Sequence, residues 1–221
     1  MLELFKAGGW VMWPILGISI LALAIVLERF WTLRRKSVLP AGLGKEVRDW
    51  ARHAHLDPKH IDALRGNSPL GEVLAAGLDV RNRPREVIRE RIEDSGRHVM
   101  HRLERFLNTL GTIASAAPLL GLLGTVIGMM HLFLGILDHG VGDVSQLAGG
   151  IGQALVTTAS GMCVAIPALV FHRYFRGLIA AYGIDMEREA NALIDALESA
   201  APPAAQSPPP GAPPRRRSTA G

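Results

Sequence analysis

The chain has 221 residues, of which 48% are hydrophobic and 20% are charged, with one cysteine and a formal net charge of +4. A single cysteine excludes an internal disulfide framework, and the hydrophobic content excludes a fully disordered chain. The net charge alone does not indicate nucleic-acid binding, because its meaning depends on where the charges lie along the chain.

Three stretches contain no Asp, Glu, Lys or Arg: residues 7–27, 106–137 and 144–172. Each is long enough for a helix to cross a bilayer core of about 30 Å, which takes about 20 residues. We therefore predict an all-α membrane protein with three transmembrane helices, near residues 10–33, 112–137 and 147–172. The first stretch is long for a cleaved signal peptide and is followed by Arg34, Arg35 and Lys36, so we interpret it as an anchor.

The basic residues lie mostly on one side of the predicted spans. Residues 34–105 carry sixteen Lys or Arg, whereas the connection 138–146 carries none. The positive-inside rule therefore predicts a periplasmic N-terminus and a cytoplasmic C-terminus. The predicted organisation is a periplasmic end with the first span (1–33), a cytoplasmic helical region (34–106), the second and third spans (107–175) with a short periplasmic loop (138–146), a cytoplasmic helix (176–200) and a disordered Pro-rich tail (201–221).

The cytoplasmic region begins with short helices. Asp57-Pro58 and Ser68-Pro69 each place a capping residue before a proline at the first helical position. These signals predict two helices, which end near residues 66–67 and before the break at residues 82–84.

Longer helices are predicted on the cytoplasmic side of the second and third spans. From Pro84 to Leu110, apolar residues recur every three or four positions, which predicts one amphipathic helix that continues without a turn into the second span. A similar stripe from Leu178 to Leu197 continues the third span. The second and third transmembrane helices are thus expected to extend into the cytoplasm as long helices.

Small residues form one face of each of these two spans. On the second they are Ala117, Gly121, Gly124, Thr125 and Gly128. On the third they are Ala154, Thr158, Gly161, Ala165 and Ala168, beside a polar edge of Gln153, Thr157 and Ser160. Because small residues let backbones approach in lipid, we predict helix packing through Gly121, Gly124, Gly128, Gly161 and Ala165. Pro118 and Pro167 predict kinks. Helix packing by itself accounts for any one of the hydroxyl residues.

The predicted spans lack a deep carboxylate. The one acid within a predicted span is Glu28, close to the cytoplasmic end of the first, and its neighbour Arg29 predicts an interfacial ion pair. Any proton path would therefore take its titrating carboxylate from another subunit. The sequence contains no recognisable catalytic motif and no convincing metal-ligand set, so we expect neither an enzyme nor a bound metal or cofactor.

Two runs in the second and third spans resemble the MotA/TolQ/ExbB proton-channel family. They are LNTLGTIASAAPLLGLLGTVIGMMHLF, residues 107–133, and GGIGQALVTTASGMCVAIPAL, residues 149–169. The N-terminal GGWVMWPILGISILALAIVLERFW resembles the first span of ExbB-type members. The resemblance implies a bacterial inner-membrane motor subunit, a pentamer around an ExbD- or TolR-like single-span partner that supplies a membrane aspartate. Proton-motive force would then energise a TonB-like protein for transport across the outer membrane.

The same resemblance implies functional residues. Thr125 and Thr158 match the family's pore threonines, and the pore-lining set implied here is Thr125, Thr158, Thr157 and Gln153. Several members have Glu at the position of Gln153, and Gln does not exchange protons at physiological pH. The alternatives are a TolQ-like role in the envelope, a flagellar stator and a non-conducting assembly protein. A MotA-like stator normally has four spans, whereas three are predicted here. No nucleic-acid partner is expected.

Overall fold

The computed structural model describes residues 8–52, 58–139 and 144–200, and these residues form eight α-helices and no strand. The helices are α1 Met12–Thr32, α2 Arg35–Val38, α3 Leu43–Ala51, α4 Pro58–Asn67, α5 Pro69–Asp79, α6 Arg85–Leu103, α7 Leu107–His139 and α8 Val144–Ala200. The predicted tail 201–221, the cap at Asp57 and the middle of the predicted loop 138–146 lie outside the described residues.

Three segments are long and apolar enough to cross a membrane. They are α1 and the apolar parts of Arg85–Leu137 and Ala148–Ala200. Most of their large apolar side chains, such as Leu23, Leu119 and Ile166, face outwards from the single chain. The prediction of an all-α protein with three such helices, the second and third of them long, is confirmed.

The expectation of one uninterrupted helix from Pro84 into the second span is wrong. Helix α6 ends at Leu103, and α7 begins only after a turn in which Phe106 has a positive φ of 65°. The buried guanidinium of Arg29 donates a hydrogen bond of 2.9 Å to the Leu103 carbonyl and lies 5.5 Å from the centre of the Phe106 ring. This contact from the first helix stabilises a helix end that the periodicity of the local sequence does not indicate.

The polar helices form a bundle outside the apolar segments. We define the extramembrane bundle as α2 to α6 together with residues 173–200 of α8. Its core contains the fully buried side chains of Leu74, Leu78 and Leu193. The predicted start at Ser68 is confirmed, because its hydroxyl accepts a hydrogen bond of 3.1 Å from the Gly71 amide at the beginning of α5.

The bundle is attached to the end of α1 by polar and aromatic contacts. The Tyr182 hydroxyl, on α8, donates a 2.8 Å hydrogen bond to the Leu33 carbonyl. Nearby, Arg35 forms a 3.0 Å ion pair with Asp185. The ring of Phe30 packs edge-on against the buried Phe175, with 5.2 Å between ring centres. These contacts fix the position of α1 relative to α8.

Candidate functional site

The interface between α7 and α8 is built from small residues that bring the two backbones into contact. A Cβ atom added to Gly161 would lie 2.6 Å from the Ala117 carbonyl oxygen, and one added to Gly121 would lie 3.0 Å from the Thr157 carbonyl oxygen. One added to Gly128 would lie 3.0 Å from the Gly150 carbonyl oxygen. No larger side chain fits at these positions without moving one helix away from the other.

Gly124 and Thr157 form the tightest part of this interface. A Cβ atom on Gly124 would lie 2.5 Å from the Thr157 Cβ atom. The Thr157 side chain is fully buried, and its hydroxyl lies 3.0 Å from the carbonyl oxygens of both Gln153 and Ala154 in its own helix. Thr157 therefore fills space between α7 and α8 and directs no polar atom to the outside of the chain.

The other two threonines lie together on one edge of the α7 and α8 pair. The Thr158 hydroxyl donates across the interface to the Gly121 carbonyl oxygen at 3.4 Å. One turn further along α7, the Thr125 hydroxyl donates to the Leu122 carbonyl oxygen at 2.6 Å. Both threonine residues are partly exposed. The structure therefore places two partly exposed threonines on the same edge, one from each helix and about one helical turn apart along α7.

Helix α1 covers the opposite edge of the same helix pair. Val11, Met12 and Ile15 pack against Leu120 and Ile127 of α7 and against Val164 of α8. At about 100° per residue, the α7 residues in this contact lie on the other side of the interface stripe from Thr125. The edge that carries Thr125 and Thr158 is thus left uncovered by α1.

Gln153 lies on the α1 edge. A Cβ atom on Gly9 would lie 2.5 Å from the Gln153 amide nitrogen, and Gly9 has a positive φ of 67° that glycine adopts without strain. The close approach of the Gly9 backbone thus accommodates the Gln153 side chain. Of the four residues expected to line a pore, the structure brings Thr125 and Thr158 to one exposed edge and places Thr157 and Gln153 elsewhere.

The apolar segments contain one charged pair near the end of α1. The Arg29 Nε and Glu28 Oε2 atoms are 2.5 Å apart, and the Thr32 hydroxyl donates a 2.9 Å hydrogen bond to the same carboxylate. Within α7 from Leu107 to Leu137 and in α8 from residue 148 to His172, the sequence has no Asp, Glu, Lys or Arg. The edge that carries the two threonines thus has no carboxylate of its own.

Two prolines interrupt the hydrogen-bond ladder within these helices without ending them. Pro118 lies inside α7 and Pro167 lies inside α8, and both helices continue beyond them. Near Pro118, the Ser115 hydroxyl donates to backbone carbonyl oxygens of its own helix, those of Gly111 and Thr112, at 3.1 Å. Ser115 is thus satisfied locally, as serine in a membrane helix commonly is.

Sequence reasoning missed His172, which joins α7 and α8 at the far end of their interface. Its Nδ1 atom lies 3.0 Å from the Leu107 carbonyl oxygen, and a Cβ atom on Gly111 would lie 3.0 Å from its ring. In the sequence, the one indication of this role is that His172 is the last residue of the charge-free stretch 144–172. Among the residues that the structure describes, no group of three or more His, Cys, Asp or Glu could hold a metal ion.

The fold and the site define a class, the polytopic helical membrane proteins whose polar groups within the spans are mainly hydroxyls. The chain belongs to the MotA/TolQ/ExbB proton channel family, whose family model matches residues 65–188 and so includes both exposed threonines. The chain is an ExbB-like proton-channel subunit. Proteins of this family transport protons or energise transport and form no known enzyme class.

Individual relatives extend the similarity over most of the chain. The ExbB-like 1 protein of Synechocystis sp. is 36% identical over 197 residues, which cover 85% of this chain and 78% of that protein. The ExbB-like 3 protein of the same organism is 33% identical over 179 residues, which cover 78% of this chain and 83% of that protein. The biopolymer transport protein ExbB of Pseudomonas putida is 38% identical over 116 residues, and the match covers only 33% of its length.

Proposed function

We propose that the chain is the ExbB-like subunit of a motor complex in the bacterial inner membrane, driven by proton-motive force. In this proposal several copies, five by family resemblance, surround an ExbD- or TolR-like protein with a single span, and the complex energises a TonB-like protein. The N-terminus is periplasmic, and the extramembrane bundle and the C-terminus are cytoplasmic, because the bundle carries most of the basic residues.

One observation carries this proposal. Thr125 and Thr158 are two partly exposed threonines on an edge that α1 leaves open, while the described parts of the second and third spans contain no carboxylate. A proton relay in a membrane needs an ionisable group at depth. A partner span beside this edge would supply that group, and its carboxylate would face the two hydroxyls.

Hydroxyl groups suit both protonation states of such a carboxylate. A threonine hydroxyl has one donor and two acceptor lone pairs, so it donates to an ionised carboxylate and accepts from a protonated one. In the isolated chain both hydroxyls donate to backbone carbonyls. Rotation about χ1 would transfer each donor from that carbonyl to the partner's carboxylate, and this hydrogen bond would favour the charged form.

The other two residues of the predicted pore set, Thr157 and Gln153, lie away from this edge and have a packing role in the proposal. Thr157 occupies the space against Gly124, and Gln153 contacts the beginning of the first helix near Gly9. In this proposal they hold α7, α8 and α1 in register, and neither exchanges a proton. Thr157 and Thr158 are neighbours in the sequence but have different proposed roles. The same substitution at each of them therefore gives a matched pair of variants.

The test compares Thr158→Val with Thr157→Val in vesicles that contain the chain and its single-span partner. Valine keeps the shape of threonine and removes the hydroxyl. We expect Thr158→Val to reduce proton flux into the vesicles at least tenfold, while Thr157→Val stays within twofold of the wild type. Both variants should still co-purify with the partner. Equal flux in the Thr158→Val complex and the wild type would refute the proposed role.

A second experiment separates the TonB-linked role from the TolQ-like role and from a non-conducting assembly protein. The gene is expressed, together with a single-span ExbD-like protein, in bacteria that lack both ExbB and TolQ. Restored uptake through an outer-membrane transporter supports the proposed role, whereas restored resistance to detergent alone favours the Tol role. Vesicles of the complex that show no proton flux would instead support the non-conducting protein.

A further inference from the structure

A basic cavity of about 470 Å³ opens between α8 on one side and the segment after α1 with helix α3 on the other, and Leu70 of α5 also lines it. Five cationic and two anionic side chains line it, so it carries three positive charges in excess. The charged lining residues are Arg35, Lys36, Lys45, Arg48, Arg188, Asp185 and Glu189.

The two carboxylates neutralise only part of this charge. Asp185 pairs with Arg35 at 3.0 Å and lies 3.8 Å from Arg188, while Glu189 pairs with Arg48. Lys36 and Lys45 are exposed and form no ion pair with any residue that the structure describes. Their ammonium groups are therefore available to an anion from outside the chain.

The cavity lies close to the end of the first span. Trp31 is 72% exposed, as expected for a residue among lipid headgroups, and the Arg34 guanidinium lies 4.4 Å from the centre of its ring. Lys36 follows only five residues after Trp31. Helix α8 forms the opposite wall, and the hydrogen bond from Tyr182 to the Leu33 carbonyl holds this helix beside the end of α1. Lysine side chains near a span end extend towards the headgroup layer.

We propose that this cavity binds the phosphate headgroup of an anionic phospholipid, with Lys36 and Lys45 as its principal contacts. The excess positive charge selects an anion, and the position beside Trp31 favours an anion that is anchored in the membrane. Leu39, Pro40 and Leu70 add an apolar part to the lining, against which the glycerol backbone of a lipid can pack. The site is independent of the identity of the partner span.

The experiment measures lipid binding to the purified full chain in mixed micelles. Dioleoyl phosphatidylglycerol and dioleoyl phosphatidylcholine are titrated separately, and bound lipid is counted by native mass spectrometry. The test variant is Lys36→Gln/Lys45→Gln. The control is Lys59→Gln/Arg91→Gln, which removes the same charge from exposed positions of the bundle outside the cavity lining.

Each basic residue near an anionic lipid surface contributes about a fivefold factor in binding, so we expect the test variant, which lacks two, to bind phosphatidylglycerol about 25-fold more weakly. The control should bind it within twofold of the wild type, and phosphatidylcholine should bind weakly to all three proteins. Binding should weaken as salt is added. Equal losses in the test and control variants would refute the site, and so would unchanged binding in the test variant.

A separate arm distinguishes the lipid from free phosphate. Inorganic phosphate at millimolar concentration is added as a competitor and is also tested for its effect on the melting temperature of the chain. We expect no displacement of phosphatidylglycerol and no change in melting temperature. Stabilisation by inorganic phosphate without retention of phosphatidylglycerol would show a free-phosphate site and overturn the assignment to lipid.

Discussion

The contact between Gly124 and Thr157 predicts a large penalty for adding a single methyl group. In Gly124→Ala, the new Cβ would lie 2.5 Å from the Thr157 Cβ atom. Carbon atoms in contact prefer separations of about 3.5–4.0 Å, so α7 and α8 must separate locally by about 1 Å. Side-chain rotation does not relieve this contact, because the positions of Cα and Cβ atoms are fixed by the helix backbone. The strain is therefore borne by the packing of two helices.

The expected magnitude follows from two opposing effects. Overpacking a well-packed core costs about 1–3 kcal/mol, and alanine in place of glycine in a helix recovers about 0.5–1 kcal/mol. We expect Gly124→Ala to lower the free energy of unfolding by about 1–2 kcal/mol. The control Gly152→Ala lies on the same helix pair, where an added Cβ meets no atom within 4 Å. It should match or slightly exceed the stability of the wild type.

The assay is unfolding of the purified chain by sodium dodecyl sulfate in mixed micelles, followed by circular dichroism. A double-mutant cycle adds Thr157→Gly, which removes every side-chain atom that the new methyl group would meet at that residue. We expect Gly124→Ala to cost less in the Thr157→Gly background, with a coupling energy of about 1 kcal/mol or more. Equal stability of Gly124→Ala and Gly152→Ala would refute the reasoning.

Three further substitutions test the turn between α6 and α7 and the attachment of α1 to α8. Arg29→Gln should lower the free energy of unfolding by about 1.5–3 kcal/mol, because it removes a charged donor from the buried hydrogen bond to Leu103. Tyr182→Phe should lower it by about 1–2 kcal/mol at neutral pH, because it leaves the Leu33 carbonyl without its donor. Phe106→Val should be about 1–2 kcal/mol less stable than Phe106→Gly, because a β-branched residue tolerates a positive φ poorly. Each is measured by the same unfolding assay.

Controls and pH separate these effects from general perturbation. Arg34→Gln and Tyr174→Phe remove an exposed charge and an exposed hydroxyl near the same span end. Each should change the free energy of unfolding by less than about 1 kcal/mol, which for Arg34 includes its contact with the Trp31 ring. Burial raises the pKa of the Tyr182 phenol. Because this pKa is raised, the stabilisation that Tyr182 contributes is complete below the ordinary tyrosine pKa. It is lost as the pH rises through the pKa of Tyr182 in the folded protein. The difference between wild type and Tyr182→Phe should therefore disappear in strong alkali, and its persistence there would contradict this explanation.

Much of the architecture could be predicted because it depends on local composition. The three spans appear as stretches without charged residues, and Ser68 followed by Pro69 marks a helix start through their own backbone chemistry. The end of α6 could not be predicted in this way. It depends on Arg29, which is 74 residues away from the carbonyl group that it binds.

The site was predicted only in part for a similar reason. Helical periodicity identifies the small face of each span, but Thr157 and Thr158 are adjacent, and both lie within about 100° of that face. Which of them points into the interface depends on how α8 is rotated against α7, and that rotation is set by close contacts such as the one between Gly161 and Ala117. Likewise, the location of Gln153 depends on the path of the chain before α1. These are tertiary contacts that no single segment specifies.

Helix α8 extends as one helix, with Pro167 inside it, from Thr158 to the far end of the extramembrane bundle. It contains 57 residues, which corresponds to a rod about 85 Å long. Thr158 lies near one end, and Ala200 is 42 residues further on, about 63 Å away. A tilt of about 5° about Thr158 would move Ala200 sideways by about 5 Å. A small tilt of α8 at Thr158 thus becomes a movement of about one helix radius at the end of the extramembrane bundle.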